Sequence, residues 1–372
     1  MFFKKKTIKQ ETITKTKELP LSGIIIIYVD DLIVAGEEIV QNKFFTEFEK
    51  SVTFSEPEEL KVNGPPITFL GFQYRRKQDY IEIDPRDYTE KVLEAFNHKD
   101  AQPRKTTGDI GSFILDMKDR KPLKQDGKEH KQYRRLVGQT LWLSSVRRDI
   151  AFAVKELSKY VHDPSEDDVK RGEHLLRYLA GTRDETVYLK PKKDEIFTIE
   201  AFTDADLGNC RTSRRSTSGG CIALNGSIVF TWAKQQDTVA ESSTESEFIA
   251  MVQACKQIKY VQQFLDELDI ILGEIPILNI DNTAAMSMIT SNIKSRVKHL
   301  DRKMYWIREY IANKNVIVKY VVSKDNLADI FTKYVSNVVL ETIRPAVMGR
   351  EDPPRTEVNE KEELKVVEEK EE

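Results

Sequence analysis

The sequence is poor in the residues that several common chemistries need. It holds three cysteines, Cys210, Cys221 and Cys255. They have no metal-type spacing and form no even set, so they read as reduced thiols of an intracellular protein. The five histidines, His98, His130, His162, His174 and His299, pair neither with a cysteine nor with one another at ligand spacing. A zinc site and a Ser-His-Asp triad are therefore poor expectations. No apolar run reaches the length of a membrane span, and Ile24–Ile27 fits a buried strand rather than a signal-sequence core. Neither sign of charge dominates: 58 Lys and Arg stand against 61 Asp and Glu, a net −3. That balance does not advertise nucleic-acid binding. The charge is unevenly placed, however. The segment Lys4 to Lys17 is basic and Glu351 to Glu372 is acid-rich, and such tails can hide a basic working face.

What is present suits two or three domains in 372 residues. Residues 1–22, Lys/Thr-rich, are expected as a disordered basic tail. Residues 23–36 read as two apolar strands with a tight turn at Asp30-Asp31. Those carboxylates are either an Asp-rich surface turn or metal ligands, because the flanking runs look buried and buried carboxylates need partners. A helix over 37–50, strands at 67–74 and 80–83, and a helix over 85–97 complete a unit of 23–105. The lysine-rich stretch 106–130 reads as a linker. Residues 131–193 read as helical. Arg134, Arg135, Arg147, Arg148, Lys170, Arg171 and Arg177 make this block basic, either a solvated helix surface or a track for a nucleic-acid backbone. Residues 346–372 are expected as a disordered acidic tail.

Residues 194–345 have the clearest pattern. Strands are expected at 196–203, 221–224 and 227–232, the last two joined by Asn225-Gly226, a strong hairpin signal. Ser242-Ser243-Thr244-Glu245 opens a long helix with a capping box. A strand over 276–280, helices over 283–290 and 296–313, a strand over 316–322 and a helix from 327 follow. The order β-β-β-α-β-α-α-β-α implies an α/β fold, a mixed sheet with flanking helices. Asp204 and Asp281 then fall at strand ends, Glu247 in the first turn of its helix and Asp329 at the start of the last. Four carboxylates converging at one edge of the sheet would suit a pair of Mg²⁺ ions, which take hard oxygen ligands.

These residues carry a resemblance. The segment resembles the ribonuclease H domain of copia-type retrotransposon Pol polyproteins. The likeness rests on Thr203-Asp204-Ala205-Asp206, Arg215-Ser216-Thr217-Ser218-Gly219, Ser242 to Phe248, Ile280-Asp281-Asn282, Lys298-His299-Leu300-Asp301, Ile307-Arg308-Glu309 and Leu327-Ala328-Asp329-Ile330-Phe331-Thr332-Lys333. Upstream, Tyr28-Val29-Asp30-Asp31 resembles the reverse transcriptase palm signature. Phe69-Leu70-Gly71-Phe72 and Tyr133 to Gly138 match the same family. The likeness covers roughly residues 23–340. Leu207 stands where the family usually has Trp, Arg148 replaces a common Pro, and Tyr334 replaces the Pro that often follows Thr332-Lys333.

The resemblance implies a ribonuclease H-like mixed sheet, preceded by an incomplete α+β reverse transcriptase palm/thumb (23–105) and a helical connection (131–193). It implies that Asp204, Glu247, Asp281 and Asp329 bind two Mg²⁺ ions, with Mn²⁺ an acceptable substitute. Asp204 and Asp281 are the principal ligands and Asp204 bridges both ions. Glu247 completes one shell, and Asp329 holds the other ion near the attacking water. The expected activity is cleavage of RNA in RNA/DNA hybrids. Ser243 and Thr244 are candidate readers of the 2′-OH, or plain helix caps, and Arg134 and Arg135 candidate backbone contacts. A palm needs a third carboxylate on an earlier strand and a fingers domain, so Asp30 and Asp31 are expected as a polymerase-type remnant, without DNA synthesis from this chain alone. Two alternatives are a non-catalytic nucleic-acid-binding relic and the C-terminal fragment of a complete RNA-directed DNA polymerase. Expected partners are the hybrid and other retroelement Pol or Gag products, with no membrane. The expected location is intracellular, in cytoplasm and nucleus.

Overall fold

The computed structural model describes residues 22–110, 120–192, 196–210, 212–290 and 298–354, without the side chains of 290 and 298–300. Of the tails expected at 1–22 and 346–372, residues 1–21 and 355–372 lie outside the described residues, as do the Lys298-His299-Leu300 side chains. Strands β1 (Gly23–Tyr28) and β2 (Asp31–Gly36) form an antiparallel hairpin in which Tyr28 pairs with Asp31. The turn residues are therefore Val29 and Asp30, one place earlier than expected, and Val29 takes a left-handed φ of 53°. The hairpin is less buried than expected. Ile25 is buried and Tyr28 packs on Trp142, but Ile26, Ile27 and Val29 are 52%, 49% and 82% exposed, because the two strands form a sheet of their own. Helix α1 (Glu38–Phe48) follows, its Phe44, Phe45 and Phe48 grouped with Phe54.

Strands β3 (Ile67–Phe69), β4 (Phe72–Arg76), β5 (Ile81–Asp84) and, a hundred residues on, β6 (Val187–Leu189) make a four-stranded antiparallel sheet. The single strand expected over 67–74 is a hairpin, because Leu70 and Gly71 take φ of 53° and 85° and reverse the chain. Asp84, held between Arg75 (2.7 Å) and Arg86 (2.6 Å), fixes the entry to helix α2 (Arg86–Ala95).

Helices α3 (Lys128–Leu143), α4 (Ala151–Ser158) and α5 (Glu166–Gly181) form the connection. The described part of the expected linker is packed rather than extended. The Arg120 guanidinium, 6% exposed, pairs with Asp168 at 2.6 Å, Pro122 bridges Ser165, and the Thr106 carbonyl lies 2.9 Å from the His174 ring. An ion pair between Arg147 and Asp149 (2.8 Å) is wholly buried. It is completed by the Tyr178 hydroxyl, which donates to Asp149, and by the Thr182 carbonyl, which accepts from Arg147. Arg148 donates to the Val347 carbonyl at 3.0 Å.

The third sheet is the one that positions the candidate site. Strands β7 (Ile199–Asp206), β8 (Thr217–Leu224) and β9 (Ser227–Gln235) run antiparallel. Asn225 and Gly226, at φ of 48° and 80°, make the expected tight turn. Helix α6 (Ser243–Glu267), strand β10 (Ile277–Ile280), helices α7 (Thr283–Thr290) and α8 (Lys298–Ala312) and strand β11 (Ile317–Tyr320) follow. The strand order is β11-β10-β7-β8-β9, with β10 parallel to both β7 and β11. This is the ribonuclease H-like mixed sheet. The helix expected from 327 is instead a 3-10 turn, Leu327–Phe331, and a separate helix α9 (Asn337–Val347) whose Ser336 cap accepts from the Val339 N–H.

One face of the sheet, through Ile222 and Leu278, packs on Phe248, Ile258 and Ile307 of the long helices. The other face, through Phe202, Cys221 and Ile228, shares a core with Val154, Leu157, Phe331 and Val347. Helix α4 therefore packs against this face of the five-stranded sheet. The tail expected from 346 starts later than that: Val347 and Met348 are fully buried, and the Met348 carbonyl accepts from the Tyr188 N–H.

Candidate active site

Strands β7 and β10 are parallel neighbours with Asn279 opposite Phe202, so Asp204 and Asp281 sit side by side. Asp281 follows the last residue of β10, but β7 runs two residues past Asp204, which pairs with Gly219, rather than ending before it as expected. These strands are in the middle of the sheet, and the site is built on their ends rather than along an outer strand. Helix α6 packs across them and brings Glu247. One oxygen from each of Asp204, Glu247 and Asp281 lies within 4.8 Å of the others. Asp204 is 3% exposed and Glu247 9%. Burial, and then the charges of Asp204 and Asp281, push the Glu247 carboxyl up to about 9, against an N–H donated by Ala205. Three acids so placed repel one another, which is what a cation between them would relieve.

Asp329 reaches the site by a different route. Its 3-10 turn sits directly over β8, and a Cβ on Gly219 would meet the Phe331 backbone at 2.7 Å. The glycine of the Ser218-Gly219 motif thus lets the turn approach. Asn326, fully buried, anchors it: its amide donates to the Thr203 carbonyl and its oxygen accepts from Ala328 N–H. Asp329 does not join the group of three. It is linked to it by Lys333, whose Nζ lies 2.9 Å from Asp329 Oδ1 and 3.5 Å from Asp204 Oδ2. Burial and the Asp204 charge push Asp329 up to about 6. The Thr332 hydroxyl donates to Asp204 Oδ2. The sequence shows Thr332 and Lys333 only as part of the Leu327 to Lys333 motif, with no role at the site, and gives no sign of Asn326. The spacing of Lys333 four residues after Asp329 was the available signal.

The other candidates divide. Asp30 and Asp31 are exposed at the hairpin, and among the described residues neither joins a group of three possible ligands. Ser242, not Ser243 or Thr244, caps α6: it accepts from Glu245 N–H at 3.1 Å. Glu245 in turn accepts from Glu241 N–H rather than closing the box on Ser242. Arg134 and Arg135 are exposed on α3, and Arg135 stacks over Phe96. Arg147 and Arg148 are buried and leave the basic surface expected of this block, since their charges are spent inside the fold. The Ser216, Thr217 and Ser218 hydroxyls are buried and bond Gly208, Asn209 and Gln236, which ties the loop after β7 to β8. Among the departures from the family pattern, Tyr334 is accommodated by an edge contact with Phe152, and Leu207 is 42% exposed.

The donor set is all carboxylate oxygen, which fits Mg²⁺ or Mn²⁺ and does not fit zinc or copper sites built on imidazole or thiolate. No protein-family model matches the chain. Relatives are found among transposon proteins. The Pol polyproteins of transposons RE2 and RE1 of Arabidopsis thaliana are 28% and 27% identical over 89% of the chain. That of TNT 1-94 of Nicotiana tabacum is 27% identical over 87%. The chain spans about a fifth to a quarter of the length of these relatives (22–24%). An uncharacterized mitochondrial protein of A. thaliana is 29% identical over 63% of the chain and 93% of its own length. Among solved structures, the compost-metagenome LC11-RNase H1 covers 39% of this chain and 96% of its own at 15% identity and a TM-score of 0.29. A foamy viral protease-reverse transcriptase covers 80% and 36% at 12% identity and 0.42. Over most of its length, then, the chain is related to the copia-type retrotransposon Pol polyproteins and corresponds to their C-terminal part.

Proposed function

We propose that this chain carries a ribonuclease H-type endonuclease that cleaves the RNA strand of RNA/DNA hybrids. The observation that carries the reading is the convergence of Asp204, Glu247 and Asp281 at the ends of two parallel strands, with Asp329 beside them across Lys333. Asp204, Glu247, Asp281 and Asp329 would hold two Mg²⁺ ions, or Mn²⁺ in their place. Bound metal would stabilise charge developing on the phosphate and lower the pKa of an attacking water. Asp204 is the central group: it is buried and held by Thr332, so its oxygens are fixed before any ligand arrives. Burial and the charges of Asp204 and Asp281 push the Glu247 carboxyl up to about 9, so at neutral pH opposite charge nearby would favour its charged form. The proposed division is a palm/thumb-like unit, a helical connection whose strand β6 joins the palm/thumb sheet, and the nuclease itself.

Ser242 serves as the cap of α6, so the Ser243 and Thr244 hydroxyls beside Glu247 are spare to read a 2′-OH. Arg134 and Arg135 on α3 would track the hybrid's backbone. Other retroelement Pol or Gag products are the expected protein partners. A second reading, a working part of a larger RNA-directed DNA polymerase, draws on the exposed apolar hairpin with Asp30 and Asp31 at its tip. The test is a cleavage assay on purified protein with an RNA/DNA hybrid, single-stranded RNA and duplex DNA, each with Mg²⁺, Mn²⁺ or chelator. Metal-dependent cutting of the hybrid's RNA strand alone is expected. No cutting of the hybrid under any of these conditions would overturn the reading.

A further inference from the structure

We propose that the Lys333 ammonium and a divalent cation are alternative occupants of the Asp204–Asp329 side of the site, so that the nuclease caps one of its own metal positions. The inference rests on the reading of these acids as metal ligands and goes beyond it. Nζ stands 2.9 Å from Asp329 and 3.5 Å from Asp204, between two carboxylates that a cation would otherwise join. Its position is set by the fold. Lys333 follows Asp329 by one helical turn, its N–H bonds the Asp329 carbonyl at 3.3 Å, and the neighbouring Thr332 hydroxyl is tied to Asp204. The side chain is 39% exposed, so it can swing into water by rotating its stem without moving the backbone. Among the described residues no Lys or Arg makes an ion pair with Glu247 or Asp281. The Glu247–Asp281 side of the group is thus open to a cation, whereas the Asp204–Asp329 side already holds one ammonium between its two carboxylates. Two positions of unequal affinity follow, and the weaker is weak because an ammonium must leave first.

The probe is Mn²⁺, titrated calorimetrically into the full chain after chelator treatment. Two binding steps are expected for the wild type. Lys333→Met keeps the stem and removes the charge; it should tighten the weaker step by about tenfold, the scale of one ion pair near a surface, and lower the melting temperature of the metal-free protein. Lys333→Arg, which keeps the charge, should keep the wild-type affinity. Asp329→Asn should remove the weaker step and spare the tighter one. Two wild-type steps with the weaker unmoved in Lys333→Met would overturn the capping alone. No Mn²⁺ binding by wild type or variants would instead overturn the metal reading on which it rests. Circular dichroism of each variant separates either result from loss of the fold.

Discussion

Replacing Glu247 by Gln should stabilise the metal-free protein above neutral pH and leave it nearly unchanged at pH 5. The Glu247 carboxyl sits within 4.8 Å of those of Asp204 and Asp281, and one such repulsion is worth about 3 kcal/mol at an effective dielectric of about 20. The pH argument gives a similar size. Folding lifts this group from 4.5 to about 9, so between those values the folded chain holds a proton that the unfolded chain has released. Stability then falls as pH rises, by about 1.4 kcal/mol per unit, or roughly 3 kcal/mol by pH 7. Gln has no proton to lose and removes this slope. At roughly 2 °C per kcal/mol for a domain of this size, the variant should melt about 6 °C above wild type at pH 7 in chelator. The gain should shrink towards zero near pH 5. Saturating Mg²⁺ should reverse the order, because the metal stabilises only the native carboxylate set. Differential scanning calorimetry at the two pH values, with and without Mg²⁺, measures all of this. A variant equally destabilised at both pH values in chelator would refute the reasoning.

Asp149→Ala should cost about 3–5 kcal/mol in chemical denaturation, because it strands the wholly buried Arg147 charge. Gly219→Ala should cost about 1–3 kcal/mol and, by lifting the turn that carries Asp329 off β8, should lower hybrid cleavage more than hybrid binding, read from kcat against KM. Hybrid binding should weaken steeply with salt. The double variant Arg134→Ala/Arg135→Ala should flatten that log–log slope by about 2, close to one per lost phosphate contact, without changing sequence preference. An unchanged slope would place the hybrid elsewhere.

Most of the five-stranded sheet was legible in the sequence because its signals are local. Asn225-Gly226 sets its own turn, Ser242 finds its own helix, and Asp204 and Asp281 follow apolar runs too short to be anything but strands. What was not legible depends on distant partners. The 327–335 stretch has helical spacing, yet it forms a 3-10 turn seated over Gly219, a residue a hundred positions earlier. Arg120 and Pro122 look like linker residues until α5 supplies Asp168 and Ser165. The apolar β1–β2 run reads as buried, since burial is the usual fate of such residues, and its two strands instead form a separate sheet that leaves Ile26 and Ile27 half exposed. Three of the four expected acids could be placed from strand ends and a helix start. The link of Asp329 to them through Lys333 needs a geometry that periodicity does not encode.

The proposed chemistry resides in the carboxylates of the mixed sheet and not in the hairpin. The most direct measurement compares hybrid-cleavage rates of wild type, Asp281→Asn and Asp31→Asn in Mg²⁺, with circular dichroism to verify folding. Asn keeps the shape of Asp281 and removes the charge that would hold metal, so that variant should be folded and inactive. Asp31 is exposed and lies in a separate sheet, so Asp31→Asn should cleave at the wild-type rate. An active Asp281→Asn, or an inactive Asp31→Asn, would contradict the account.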